Sequence, residues 1–324
     1  TVALRAFDAH WAGRPKNAGL VLRIIPDEVM RGLELRKGTI DLFVNDVSPD
    51  IVFQLRDDPS LQTVEAPGVD YQYIGVNTED RALADVRVRQ ALAHAIDRQA
   101  IVDHLRRGLA APSIGMLPPM SWAFAADATE FSYDPARARA LLDEAGYSDP
   151  DGDGPQPRLR LTMKVSNIEF NRLQSSVIQQ DLARVGVQLD IRTYEFATLY
   201  ADVLAGNFQL FTLQWTAGSL ADPDILRRVF HSAQAPPVGF NRGRFRDAEV
   251  DRLLDLASAS TDAAERLDLF RQVQRRVAQL VPYISLWYKT NVAVASRTID
   301  GVHLSPLADL RFLKDVSRVA PATH

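Results

Sequence analysis

Residues 158–215 decide the fold, and they read RLRLTMKVSNIEFNRLQSSVIQQDLARVGVQLDIRTYEFATLYADVLAGNFQLFTLQW. Alternation of apolar and polar residues is typical of half-buried strands, and helical segments that each end at a glycine separate these strands. The predicted elements are strand 158–165, helix 170–185, strand 187–192, helix 197–205 and strand 208–215. This order predicts three parallel strands joined by right-handed crossovers in a protein of the α/β class.

The ends of two of these strands form a candidate binding site. Ligands of open parallel sheets bind beyond the carboxyl ends of the strands, where this sequence has the polar loops 166–169 and 215–219. Trp215 closes an apolar strand, so its indole ring either offers a flat face to a ligand or covers the core. Asn167 precedes a helix, where backbone N–H groups point outward, but it equally fits a simple helix cap.

The composition is that of a globular protein and argues against several classes of function. The chain has 324 residues, 46% of them hydrophobic, which suggests about two domains. Its net charge is −4, from 37 basic and 41 acidic side chains, so no overall positive field favours nucleic acid or an anionic membrane. The absence of cysteine excludes a disulfide framework and fits an exported protein. No apolar run approaches the roughly 18 residues that span a bilayer.

The sequence motifs of common enzymes are missing. The sequence contains no G-x-S-x-G, G-x-x-x-x-G-K-[ST], G-x-G-x-x-G or H-E-x-x-H motif. No two of the six histidines lie three or four residues apart, so none of them form a helical metal-ligand pair. We therefore predict a binding protein with no catalytic residues, no metal site and no cofactor.

Changes in pattern along the chain suggest that one domain is inserted into another. A strand ends near Asn77, before a helical stretch over 85–108. Pro282 ends a later series of helices, and extended residues follow it. The predicted segments are 1–77, 78–282 and 283–324, of which the first and the last belong to one domain.

Several segments resemble one family of proteins. YIGVN at 73–77, followed by DVRVRQALAHAIDR at 85–98, closely resembles a signature of the family 5 extracellular solute-binding proteins. GTIDL at 38–42, DPARA at 134–138 and LLDEAGY at 141–147 match further family segments in the same order. The receptors of ABC importers for oligopeptides, dipeptides, nickel and opines belong to this family.

The resemblance implies a periplasmic binding protein-like fold of class II. In this fold two lobes are joined by a hinge, and the solute is enclosed between them. The resemblance implies that 78–282 is the complete distal lobe and that 1–77 and 283–324 are later parts of the proximal lobe. Family members also have a long N-terminal portion, so we expect this sequence to be truncated and its proximal lobe to be incomplete.

The resemblance also implies a set of ligand-binding residues. Trp215 matches the tryptophan of the family's cleft, which favours a binding role over a structural one. Peptide-binding relatives have an aspartate three residues later, where this chain has Gly218, and Glu169 is our candidate to replace its charge. Tyr71 and Tyr73 either face the ligand or pack in the hinge. The complete candidate set is Trp215, Thr216, Ser219, Asn241, Asn167, Glu169, Tyr71 and Tyr73.

The implied function is that of the substrate-binding component of an ABC importer. Such a protein captures a peptide-like or related solute and delivers it to membrane permease subunits. The implied location is the periplasm or the extracellular face of the cell membrane, with membrane association only through the transporter or a lost lipid anchor. The alternative is a ligand-sensing module of the same fold in a cytoplasmic transcriptional regulator.

Overall fold

The computed structural model of the 324-residue chain describes residues 1–152, 154–216 and 222–319. The chain divides into two compact units. The first unit comprises Thr1–Val69, Arg106–Ala110 and Lys289–His324, and the second comprises Asp70–Leu105 and Ala111–Tyr288.

Strands and helices alternate through most of the described chain. The strands are β1 (Val2–Arg5), β2 (Gly19–Leu22), β3 (Leu42–Val44), β4 (Leu61–Val76), β5 (Ala110–Pro112), β6 (Leu159–Ser166), β7 (Val187–Tyr194), β8 (Leu210–Trp215), β9 (Tyr283–Ser296), β10 (Ile299–Asp300) and β11 (Ser317–Arg318). The α-helices are α1 (Glu28–Arg36), α2 (Pro49–Arg56), α3 (Val86–Ala95), α4 (Arg98–Ala100), α5 (Pro135–Glu144), α6 (Glu169–Ala183), α7 (Phe196–Ala205), α8 (Ile225–Phe230), α9 (Ala248–Ala259) and α10 (Ala263–Leu280). Within the described ranges, no helix combines the length and the apolar character needed to cross a membrane.

The second unit contains the predicted α/β pattern. β6 pairs in parallel with both β7 and β8, so the prediction of three parallel strands is confirmed. α6 and α7 lie where helices were predicted, and α7 ends at Gly206, whose φ of +78° is a conformation that glycine adopts without strain. β8 also pairs antiparallel with the end of β4, which places Tyr71 opposite Trp215.

An aromatic-rich core fills the second unit. Its buried side chains come from β4, β8, β9 and the helices α7 to α10, and they include Tyr73, Phe211, Trp215, Phe230 and Phe270. The helices α9 and α10 pack against each other over this core. Burial of these side chains provides the main driving force for folding of the unit.

The first unit has two smaller cores. β1 and β2 form an antiparallel hairpin with largely exposed side chains, and β3 pairs antiparallel with the end of β9. The helices α1 and α2 pack together, and the cluster beneath them includes Leu35, Val52 and Val294. A separate cluster contains Ile299 and Phe312.

The boundary between the two units falls within two long strands. β4 leaves the first unit after Val69, and β9 leaves the second unit after Tyr288. The predicted boundaries, near Asn77 and Pro282, lie instead just past the end of β4 and just before the start of β9. The sequence pattern indicates where a strand begins or ends. It does not indicate a boundary between units that falls in the middle of a strand.

The helical stretch predicted over 85–108 is interrupted. α3 ends at Ala95, Ile96 is extended, and Asp97 then accepts a hydrogen bond from the backbone N–H of Ala100 at 2.9 Å. The prediction of one continuous helical stretch was wrong. The Asp97 carboxylate caps the start of α4, and this capping hydrogen bond competes with continuation of α3.

We predict that Gly75→Ala destabilises the second unit. Gly75 lies opposite the fully buried Phe211 in the β4–β8 ladder, and a Cβ atom at Gly75 would overlap the Phe211 ring. Overpacking of this kind costs about 1–3 kcal/mol, so the midpoint of urea denaturation should fall. Gly115→Ala is the matched control, because a Cβ atom there meets no atom within 4 Å. Equal midpoints for the two variants would contradict the prediction.

Candidate functional site

Three strands of the second unit end at one edge of its sheet. β6, β7 and β8 run parallel and end at Ser166, Tyr194 and Trp215, and Ser166 lies opposite Tyr194 in the ladder. Ligands of parallel sheets bind at the edge where the strands have their carboxyl ends. The side chains around these strand ends therefore form the candidate site.

Trp215 lies at this edge with its ring buried and its N–H unpaired. The residue is 6% exposed, and its ring makes an edge contact with Phe240, with centroids 5.4 Å apart. The Nε1–H group has no hydrogen-bond acceptor among the described residues. A buried donor without a partner costs about 1–3 kcal/mol of stability. Packing in the core explains the burial of the Trp215 ring but not the unpaired N–H group.

Arg242 lies beside Trp215, and the sequence pattern did not single it out. Its guanidinium carbon is 4.8 Å from the centre of the Trp215 ring. It donates hydrogen bonds to the hydroxyl groups of Tyr73 and Tyr200, both at 3.1 Å. Arg242 is 6% exposed, and its Nε–H has no acceptor in the part of the chain that the structure describes. The feature of the sequence that could have pointed to Arg242 as a site residue is its position directly after Asn241, a member of the candidate set.

The charge of Arg242 is surrounded by aromatic rings and hydroxyl groups. The rings of Trp215, Tyr200 and Phe240 lie 4.8, 5.2 and 5.4 Å from its guanidinium carbon. Cation–π contacts in a dry site contribute about 2 kcal/mol. Within 1–152, 154–216 and 222–319, no Asp or Glu forms an ion pair with Arg242. The guanidinium therefore lacks the anionic partner that a buried charge ordinarily has.

Tyr71 and Tyr73 are buried in an aromatic stack. The Tyr73 ring lies nearly parallel to that of Tyr283, with centroids 4.0 Å apart, and the Tyr71 hydroxyl hydrogen-bonds to Ser285 Oγ at 2.7 Å. Burial raises the pKa of both hydroxyl groups, and the Arg242 guanidinium offsets this only in part for Tyr73. Both side chains are therefore neutral phenols at pH 7. The contacts of Tyr71 are those of a packing role, whereas Tyr73 reaches the candidate site through Arg242.

Asn241 holds a loop together. It is 2% exposed, and its Nδ2 group donates hydrogen bonds to the carbonyl oxygens of His231 at 3.1 Å and Phe245 at 2.7 Å. Its Oδ1 atom accepts a hydrogen bond from the Phe245 N–H at 3.0 Å. Both amide hydrogens of Asn241, a candidate ligand-binding residue, are used inside the protein. Its role in this structure is to fix the backbone on both sides of Arg242.

The remaining candidates are separate from this cluster. Thr216, Asn167 and Glu169 are exposed, and Ser219 lies outside the described residues. Among the hydrogen bonds between described residues, none joins the side chains of Thr216, Asn167 or Glu169 to Trp215. The structure therefore brings together Trp215, Tyr71 and Tyr73 of the predicted set, and Arg242 contacts both Trp215 and Tyr73.

Asn167 and Glu169 lie at the end of β6. Asn167 does not cap α6, whose N-cap residue is Ile168, and its backbone N–H donates to the carbonyl oxygen of Tyr194 at 2.8 Å. The helix-cap interpretation of Asn167 was therefore wrong by one residue. Glu169 is the first residue of α6 and lines an open groove of about 640 Å³ between α6 and β7.

A cavity of about 800 Å³ lies in the first unit, between the β1–β2 hairpin and the turn that begins at Leu310. Its wall is mainly apolar. Four of the charged side chains on the wall form two ion pairs: Arg311 lies 2.8 Å from Asp309, and Lys314 lies 3.2 Å from Asp315. No buried side-chain donor on the described part of this wall lacks a partner. In the second unit, by contrast, the buried donors without a partner among the described residues include the Nε1–H of Trp215 and the Nε–H of Arg242.

Comparison with known proteins identifies the family. Residues 1–237 match the family model described as bacterial extracellular solute-binding proteins, family 5 middle region. The chain belongs to the family 5 extracellular solute-binding proteins, which are binding proteins rather than enzymes.

Particular members of the family match nearly the whole chain. It is 32% identical to heme-binding protein A of Haemophilus influenzae over 303 residues, which are 93% of this chain and 54% of that protein. It is 29% identical to the dipeptide-binding protein of Escherichia coli, over 96% of this chain and 57% of that protein. The chain therefore spans little more than half the length of these curated relatives.

A solved structure confirms the fold class. The oligopeptide-binding protein AppA from Bacillus subtilis, in complex with a nonapeptide, matches with a TM-score of 0.80 and 25% identity. The match covers 98% of this chain and 64% of that chain. The predicted α/β fold of the periplasmic binding protein type is therefore confirmed.

We predict that Asn241→Ala lowers the free energy of unfolding by about 2–3 kcal/mol, because it leaves polar groups of His231 and Phe245 unpaired in the interior. Urea denaturation followed by far-ultraviolet circular dichroism measures the change. Asn167→Ala removes the same amide from an exposed position and should change stability by less than about 0.5 kcal/mol. A stable Asn241→Ala variant that has lost solute binding would contradict the structural role.

Proposed function

We propose that this protein is the substrate-binding component of an ABC importer. In this proposal it captures a small solute by the two-lobed enclosure expected of its family and delivers it to membrane permease subunits. The observation that carries the proposal is the match of residues 1–237 to the extracellular solute-binding family. The buried Trp215–Arg242 pair at the carboxyl edge of three parallel strands supports it, because its unpaired donors suit a ligand.

The proposed solute is peptide-like or chemically related to a peptide. Among the relatives, the E. coli protein is named for dipeptides, the B. subtilis structure contains a nonapeptide, and the H. influenzae protein is named for heme. These solutes differ in size, so relatives alone do not set the size of the solute for this chain. An aromatic wall with a few polar groups suits this range, because apolar contact tolerates variation in shape.

The proposed location is the periplasm or the extracellular face of the cell membrane. The family description, extracellular solute-binding proteins, supports this location. Membrane association would then come only through the transporter or a lipid anchor. None of the three relatives named above is a transcriptional regulator, so the alternative of a cytoplasmic sensor gains no support.

We assign the second unit to the distal lobe and the first unit to the proximal lobe. Within the distal lobe, Trp215 would cover one face of the solute, and Tyr71 and Tyr73 would support it through the aromatic stack. Asn241 would act indirectly, by fixing the loop that carries Arg242. The other polar residues of the proposed ligand-binding set are Thr216, Ser219, Asn167 and Glu169.

We predict that Trp215→Phe weakens solute binding about tenfold, because phenylalanine lacks the indole N–H and covers less of the solute. Native mass spectrometry of the protein purified from its host first identifies the bound solute. Calorimetry with that solute then compares the dissociation constants of the variants expressed from the complete gene.

Trp122→Phe is the matched control for this experiment. Trp122 is 49% exposed, makes an edge contact with Phe270 and lies 5.8 Å from the Arg266 guanidinium carbon, so it shares the chemistry of Trp215 without its burial. Its replacement should leave affinity unchanged. Equal affinity of a folded Trp215→Phe variant would remove Trp215 from the site.

A further inference from the structure

Arg242 differs from another buried arginine of the second unit. Arg89 is 5% exposed, and its guanidinium donates hydrogen bonds to backbone carbonyl oxygens of Leu83, Ala84 and Leu280 at 2.6 to 2.9 Å. Those bonds use its donors to hold the chain together. Arg242 instead donates to two phenol oxygens, and its Nε–H has no acceptor among the described residues. Its burial is therefore not explained by a structural role of the kind that Arg89 has.

The Nε–Nη2 edge of Arg242 is the part of the guanidinium without a strong partner. In three other arginines of this protein, the same edge binds one carboxylate through two hydrogen bonds of 2.7 to 2.9 Å. These pairs are Arg252 with Glu249, Arg276 with Asp247 and Arg311 with Asp309. On Arg242, Nη2 donates to the Tyr200 hydroxyl oxygen at 3.1 Å, and Nε donates to no described residue. The edge thus has the geometry for a carboxylate, and no described residue supplies one.

The indole N–H of Trp215, against whose ring Arg242 packs, is a second unpaired donor. The Trp215 Nε1–H is buried without an acceptor among the described residues, and the Arg242 guanidinium carbon lies 4.8 Å from the centre of this ring. A buried cation and a buried N–H side by side favour an anionic group with several acceptor oxygens. A carboxylate has two such oxygens and matches the planar fork of arginine.

We propose that a carboxylate of the solute binds the Nε–Nη2 edge of Arg242 in place of the Tyr200 hydroxyl, and that the Trp215 N–H donates to the same solute. This inference rests on the proposed function and specifies its substrate class as solutes with a free carboxylate. Peptides and heme, the solutes in the names and structure of the relatives, both carry carboxylates.

Tyr200 is placed to give way to a carboxylate. It is partly exposed on α7, and its ring stacks on the exposed ring of Phe196, with centroids 5.8 Å apart. Tyr200 can therefore move toward solvent, and its movement uncovers the Arg242 guanidinium, against which its ring packs. A hydrogen bond from a guanidinium to a carboxylate is roughly twice as strong as one to a neutral acceptor, so the exchange favours the solute.

The test compares two forms of one probe. A mixture of dipeptides and tripeptides from casein, and the same mixture after methyl esterification of its carboxylates, are each incubated with the protein expressed from its complete gene. Native mass spectrometry then identifies the retained peptides, and calorimetry measures the affinity of the best of them. We expect the wild-type protein to bind free acids at least about tenfold more tightly than their methyl esters.

Three variants test whether the preference for free acids over methyl esters depends on Arg242. Arg242→Gln should lose the preference for the free acid, whereas Arg228→Gln should keep it. Arg228 is the matched control, because its guanidinium carbon lies 4.5 Å from the Phe240 ring, which Arg242 also contacts, but Arg228 is exposed. Tyr200→Phe should keep or strengthen binding of the free acid, because it removes the competing hydroxyl. Circular dichroism confirms that each variant is folded.

The outcomes separate this inference from the proposed function. Equal binding of acids and esters by the wild-type protein, or an unchanged preference in folded Arg242→Gln, would overturn the carboxylate site while leaving solute capture intact. Weaker binding of the acid by Tyr200→Phe would show that the carboxylate does not take that edge. Binding of neither mixture by the wild-type protein would count against both the carboxylate site and a peptide-like solute.

Discussion

The register between β4 and β8 positions the aromatic side chains of the candidate site. Gly75 lies opposite Phe211, whose ring occupies the space that a side chain at position 75 would need, and in this register Tyr71 lies opposite Trp215. A shift by one residue would turn every side chain of one strand to the other face of the sheet. It would separate Tyr73 from Arg242 and expose part of the aromatic core. The contact between one glycine and one ring therefore sets both the packing of the second unit and the geometry of its candidate site.

The surroundings of Arg242 reduce the free-energy cost of its buried charge without neutralising it. Tyr73 and Tyr200 accept hydrogen bonds, and burial raises the pKa of the Tyr73 hydroxyl and so keeps it neutral. Aromatic rings add cation–π attraction, but none of these groups carries a full negative charge. The free energy of binding an anion is therefore more favourable at this site than at a site where a carboxylate of the protein already pairs with the arginine. A cationic group is repelled there, so a peptide's amine would need another partner, for which exposed Glu169 stays a candidate.

The parts of the second unit that could be predicted from the sequence depend on local signals. Alternation and glycine stops located the elements between 158 and 215 to within two residues at each end, and the rule for parallel strand ends selected Trp215. Arg242 could not be found in this way, because its partners Tyr73 and Tyr200 lie 169 and 42 positions away in the chain. Asn241 entered the candidate set through the family resemblance, and its hydrogen bonds to His231 and Phe245 could not be predicted, because a sequence does not show which carbonyl groups a buried amide will meet.

Two neighbouring residues of one loop, Asn241 and Arg242, have different roles at the candidate site: Asn241 fixes the loop, and Arg242 provides the charge. Asn241 ties the loop to Phe245, and the carbonyl oxygen of Gly243 accepts hydrogen bonds from the backbone N–H and hydroxyl of Thr78 at 2.9 and 3.0 Å. Arg242 therefore lies between two residues that hydrogen bonds hold in place. Preorganisation of this kind reduces the entropy lost on binding. In the carboxylate site that we propose, Tyr200 then moves away from the guanidinium, and Asn241 strengthens binding without touching the solute.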